Sequence, residues 1–113
     1  NQDSITSVPR NQDLRVTFSA GSPSDTVIIS GSSSDANGNG SGNFTCYANA
    51  AAGSFDVPAY VLSALPISAT TQGAATGTLS VGSFTIGTRF NASGINYGLF
   101  SYSVSNSSTV DFR

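Results

Sequence analysis

A two-residue rhythm that never lasts long constrains this chain most. Leu14, Val16, Phe18 and Ala20 alternate with Arg15, Thr17 and Ser19, the period that puts one face of a β-strand on a core and the other in water. The rhythm returns in "NFTCYA" at 43–48, with Phe44, Cys46 and Ala48 on one face and Asn43, Thr45 and Tyr47 on the other. It returns again in "SFDV" at 54–57, "GTLSV" at 77–81, "LFSYSV" at 99–104 and "TVDF" at 109–112, with "FTI" at 84–86 a further short strand. "TVIIS" at 26–30 is instead a continuous apolar run rich in β-branched residues, the pattern of a more deeply buried strand. Between these runs lie "GSPSD", "ANGNGSG", "NAAAGS", "TTQGAATG", "NASG" and "SNSS", all of turn composition. Short strands broken by turns every 8–12 residues or so predict a sandwich.

One stretch departs from the rhythm. In "VPAYVLSALP" at 57–66, Pro58 suits a first helical turn, Val61, Leu62 and Leu65 share a face, and Pro66 stops the run. A short helix near 58–64 is expected, plugging an edge or end of the sandwich. The predicted fold is all-β, an immunoglobulin-like β-sandwich of about seven to nine strands with this one helix. Residues 13–113 form the sandwich, and residues 1–12 are either an N-terminal arm or a first strand. Its expected core holds Val16, Phe18, Ile28, Phe44, Cys46, Phe55, Phe100, Tyr102 and Phe112.

Only 9% of the residues are charged, against roughly 25% in an ordinary soluble domain. Solubility must come from hydroxyls and amides: 21 Ser, 11 Thr and 9 Asn. That is the surface expected of a secreted protein, and a sequence opening on Asn1 rather than Met is expected of a mature or excised fragment. With a net charge of −2 and no basic cluster, nucleic acid and anionic membrane are poor partners. The apolar runs are too short for a membrane-spanning helix.

The residues for chemistry are sparse. There is no His, Glu, Lys or Met, and the single cysteine excludes an internal disulfide. Asp35, Asn37, Asn39 and Gly40 mimic the start of a calcium loop, but position twelve, where a bidentate glutamate belongs, is Cys46. A Gly/Asn hairpin loop is the better reading, and no metal or cofactor is expected. Cys46 lacks a histidine base and a second ligand, so it reads as a buried thiol acting as a small apolar residue. The six aspartates are scattered through turns and termini, and no pair suggests a catalytic dyad, so no catalytic residue is assigned. Four Asn-x-Ser/Thr triplets, at Asn39, Asn43, Asn91 and Asn106, are candidate sites of N-glycosylation, although a chain this rich in Asn, Ser and Thr also produces such triplets by chance. Tyr47 and Tyr97 are expected on outward faces, where they could stack on sugar rings, and Tyr60 and Tyr102 in the core or at its edge.

"LRVTFSAGSPSDTVIISGSS", "NFTCYANAAAGSFDVPAYVLSALP", "GTLSVGS" and "FNASGINYGLFSYSVSNSSTVDFR" together resemble a C-terminal β-sandwich domain of secreted, poorly characterised bacterial surface proteins. The resemblance runs from about Ile5 to Arg113. It implies an immunoglobulin-like sandwich and export, and it carries no catalytic residues.

Two functions follow as expectations. The first is a non-enzymatic extracellular structural module that associates with copies of itself, as in a bacterial filament or surface assembly. The second is a glycan-binding or adhesive module, with polysaccharide as the partner. For the first, the N-terminal arm could add a strand to a neighbour, with Ile5 and Val8 as anchors. Their spacing of three prevents both from facing one side of a regular strand, and the alternative is a first strand in the chain's own domain.

Overall fold

The computed structural model describes the backbone of residues 1–19 and 22–113, with the side chains of all of these except 86, 88–91, 95–97, 99 and 100. The described residues form nine strands: β1 (Ser7–Val8), β2 (Leu14–Thr17), β3 (Thr26–Ser34), β4 (Ser41–Asn49), β5 (Ser54–Val57), β6 (Thr70–Thr71), β7 (Ala74–Ala75), β8 (Gly77–Ala92) and β9 (Ile95–Phe112). One short helix, α1 (Ala59–Ser63), falls within the predicted span. The fold is all-β and sandwich-like.

Five strands build the main sheet in the order β1-β9-β8-β3-β4. β1 runs parallel to β9, with Ser7 opposite Asp111 and Val8 opposite Phe112, and the other neighbours are antiparallel. β2 and β5 pair antiparallel, Leu14 opposite Val57, as a small second sheet. β6 and β7 make a separate tight hairpin, turning at Gln72 (φ 53) and Gly73 (φ 83). Positive φ at both central residues is the turn whose twist matches that of its strands.

Alternation along β3 decides which face is inside. Val27, Ile29, Gly31 and Ser33 point inward, and Thr26, Ile28, Ser30 and Ser32 point away. Register carries that face across the sheet to Phe44 on β4, Leu79 on β8 and Val110 on β9. Val16, Val57, Leu62 and Leu65 complete one core with them, together with Val8 and Phe112. Phe112 is the largest fully buried side chain.

Hydrogen bonds tie the small elements down. The Asp13 carboxylate accepts the N–H of Ala59 at 2.7 Å and caps α1 from outside it. At the other end of α1, the Arg10 guanidinium donates to the carbonyl of Ser63, the last helical residue, and to that of Leu65 just beyond it. Ser68 Oγ accepts the buried N–H of Phe112 at 3.0 Å and lies 3.0 Å from Ser33 Oγ. Buried Gln2 donates to the Leu79 carbonyl and to Ser108 Oγ, pinning the N-terminal segment across β8 and β9.

Four expectations are corrected. Ile28 sits on the outer face and is only half-buried, because β3 is covered on one side alone. Tyr60 and Tyr102 are 77% and 61% exposed. Tyr60 lies on the turn of α1 opposite Leu62, and Tyr102 lies opposite Thr85, one residue past the end of the β3–β8 ladder. The separate short strands at 77–81 and 84–86, and at 99–104 and 109–112, are parts of two long strands, β8 and β9. Ser105, Asn106, Ser107 and Ser108 look like a turn locally, but pairing with Gly82, Val81, Ser80 and Leu79 keeps them extended. Phe100 falls outside the described side chains. Cys46, Phe18 and Phe55 pack against the core while remaining only partly buried.

Candidate functional site

Every aspartate has a structural partner. Asp3 accepts from Asn106, Asp13 caps α1, and Asp56 and Asp111 lie beside Arg15 and Arg113. Buried Asp25 accepts the Ser22 N–H at 3.2 Å and the Thr85 hydroxyl at 2.9 Å. Asp35 spends one carboxylate oxygen on the N–H of Asn39, at 2.8 Å, inside the β3–β4 hairpin loop. The loop therefore uses Asp35 to close its own turn. Among the described residues no three His, Cys, Asp or Glu side chains gather.

Cys46 is free and partly buried, and desolvation raises its pKa above the ordinary thiol value. Asn39, Asn43 and Asn106 are exposed, with Asn106 Nδ2 held by Asp3 at 2.9 Å. Asn91 and Tyr97 fall outside the described side chains. The N-terminal segment is occupied within its own domain: Val8 is fully buried beside Phe112, and Ile5 packs on the core. Ser7 and Val8 of this segment form strand β1 beside the end of β9.

What the molecule leaves open is one end of its sheet. β3 stops pairing with β8 at Phe84, yet β8 continues for eight residues to Ala92 and returns through β9 from Ile95. Eight residues at about 3.3 Å each carry this two-stranded ribbon about 26 Å past its neighbours, in a molecule 55 Å long. The core-side face runs on into the ribbon. Leu79 is fully buried, Val81 is partly covered, and on β9 Val104 and Tyr102 are 52% and 61% exposed on that same face. A cleft of about 150 Å³ opens where the second layer ends, lined by Phe18, Val27, Val81, Val104 and Asn106 among others.

The opposite face is hydroxylated. One row across β4, β3, β8 and β9 reads Thr45, Ser30, Ser80, Ser107, and the next Asn43, Ser32, Thr78, Thr109. A third row sets exposed Tyr47 beside Ile28 and Gly82. No helix among the described residues is long and apolar enough to cross a membrane.

Comparisons with protein-family models, curated proteins and solved structures find no match to this chain.

Sequence reasoning found Tyr47 as an outward aromatic and missed the ribbon. The signal was there in the uninterrupted stretch from Gly77 to Phe112, which lacks proline and carries its one tight turn at Ser93 and Gly94.

Proposed function

We propose that this domain is a non-enzymatic, secreted structural module that binds copies of itself, as a subunit of a bacterial filament or surface assembly. The observation that carries the reading is the ribbon that outruns its own sheet. An isolated two-stranded ribbon is marginally stable in water. At the root of this one Tyr102, opposite Thr85, and Val104, opposite Ser83 just inside the sheet, stay exposed on the core-side face. A neighbouring copy would complete it. The resemblance of residues 5–113 to domains of bacterial surface proteins supports export, and the hydroxyl-rich, weakly charged surface suits an extracellular setting. The test is sedimentation velocity over a concentration series, with negative-stain images of the same samples. Wild type should grow with concentration, and the double variant Tyr102→Ser/Val104→Ser should shift toward monomer. A wild type that stays monomeric throughout removes the reading.

The outer face supports a second reading, a glycan-binding or adhesive module. Tyr47 is 64% exposed beside rows of hydroxyls without a charge among them, a surface on which a neutral sugar ring can stack and hydrogen-bond. Retardation in polysaccharide-containing native gels that vanishes in Tyr47→Ala would support it, and equal mobility of the two proteins would remove it.

A further inference from the structure

We infer that β4 is a second self-association element, pairing antiparallel with β4 of another copy about a two-fold axis through Thr45. The inference rests on the self-association reading and names a contact separate from the ribbon. β4 lies in register with β3 along all nine residues, Ser41 to Asn49. On its other side it has no ladder partner among the described residues.

Two bonds fix which backbone groups face that open side. At one end of the hairpin the Ala50 N–H donates to the Asp25 carbonyl at 3.0 Å. At the other the Asp35 N–H donates to the Gly40 carbonyl at 2.9 Å. Both pairs share the register of the β3–β4 ladder, so hydrogen-bonded pairs fall at even positions of β4. Gly42, Phe44, Cys46 and Ala48 therefore bond to β3. Ser41, Asn43, Thr45, Tyr47 and Asn49 turn their N–H and C=O groups to the open edge.

That edge is unguarded. Natural sheets protect long edges with charge, proline or a bulge. β4 has no charged residue, no proline and no register shift against β3. It is also self-complementary. With Thr45 opposite Thr45 of the second copy, Asn43 meets Tyr47 and Ser41 meets Asn49, twice each by symmetry. All five outward pairs are hydrogen-bonding ones, giving about ten interchain bonds. On the core side Phe44 meets Cys46 of the second copy, and no like charges oppose.

The other edge of the sheet is less available. Residues 1–8 cover the lower part of β9 through Gln2, Asp3, Ser7 and Val8. A β4–β4 pair is closed by its two-fold, so it joins two copies, and the ribbons at the outer ends are left to extend the assembly. Asn43 gains a role as a block. It lies in the glycosylation triplet Asn43-Phe44-Thr45 and faces Tyr47 of the second copy, so a glycan there would hold the strands apart.

The variant that isolates the contact is Thr45→Pro. It deletes an N–H that faces the open edge and leaves the β3 ladder its own bonds, the setting in which strands accept proline. Thr45→Lys is the companion, placing like charges together at the axis. Sedimentation velocity would be run on full-length wild type, both variants and Tyr102→Ser/Val104→Ser, with circular dichroism as the check on folding. Weakening of dimerisation by about tenfold or more in Thr45→Lys, and in Thr45→Pro where it folds, is expected, corresponding to about 1.4 kcal/mol or more. Wild-type association in folded Thr45→Lys overturns the β4 contact while leaving the ribbon reading intact. A monomeric wild type overturns both.

Discussion

The contact between Phe44 and Gly31 allows a test that reads the packing through its coupling. Phe44 is buried, and its ring lies over Gly31 directly across the β3–β4 pair. A Cβ added to Gly31 would sit 2.5 Å from Phe44 Cε1, 2.9 Å from its Cζ and 3.2 Å from Phe112 Cζ. Phe44→Ala alone should cost about 3–5 kcal/mol through lost burial and the cavity left behind. With an unfolding entropy of about 2.1 cal/mol/K per residue, that lowers the Tm by roughly 13–21 °C. Gly31→Ala alone should cost about 1–3 kcal/mol, because the ring must be displaced within a packed core. Once the ring is gone the added methyl enters vacated space. It also lowers the entropy of the unfolded chain, a gain of about 0.4–1 kcal/mol. In the Phe44→Ala background, Gly31→Ala should therefore be neutral or stabilising. Urea unfolding of the four proteins closes the cycle, and the expected coupling, the difference between the two Gly31→Ala effects, is about 1–4 kcal/mol. Additivity within about 0.5 kcal/mol would refute the placement of the ring over Gly31.

Gly77→Ala should destabilise more stubbornly, since its Cβ would lie 2.6 Å from the backbone oxygen of Val110 and no rotamer change relieves that; a Tm within a degree of wild type would contradict the register at that pair. Ser68→Ala should cost about 1–3 kcal/mol by stranding the Phe112 N–H in the core, measured by urea unfolding, and no change would show that N–H to be satisfied elsewhere. Cys46, with its pKa raised by burial, carries less thiolate at pH 8 in the native protein than in the unfolded one. Alkylation should therefore be slower before denaturant than after, and because the folded value is the higher one, the thiol's contribution to stability declines as pH rises past the unfolded value. Deleting residues 1–8 should unfold the chain or lower its Tm by several degrees, because Val8 is fully buried and Gln2 bridges β8 and β9. A truncated protein of unchanged Tm would contradict their place in the core.

The strands and the helix were legible because each is written locally. Leu14 to Thr17 and Asn43 to Ala48 alternate as they sit, and the two prolines bracket α1. Which face of β3 is inside was not legible, because "VII" offers an apolar residue to either side. Only pairing with Phe44 and Leu79 selects Val27 and Ile29 over Ile28. Tyr102, expected in the core, does lie on the core-side face that bears Val110, but exposed. What alternation cannot express is where the covering layer ends, since that depends on the lengths of β2 and β5, strands of four residues each. The open edge of β4 was hidden for a similar reason: a strand does not record how many neighbours it has.

The parallel pairing of β1 with β9 also governs the order in which the chain can fold. Ser7 meets Asp111 and Val8 meets Phe112, contacts about a hundred residues apart in sequence. The β3–β4 hairpin and the β8–β9 ribbon join near neighbours and can form within microseconds once their residues are present. The core cannot close until its first and last buried apolar residues, Val8 and Phe112, have found one another, and long loops of this kind fold slowly at a given stability. Until then Val8 and Phe112 lack their shared shelter and the apolar face over Leu79 stays open. During synthesis that interval lasts at least until Phe112 clears the ribosome, with the uncharged edge of β4 already formed and exposed. Folding of this domain is thus a race between the closing of its ends and the meeting of its edges.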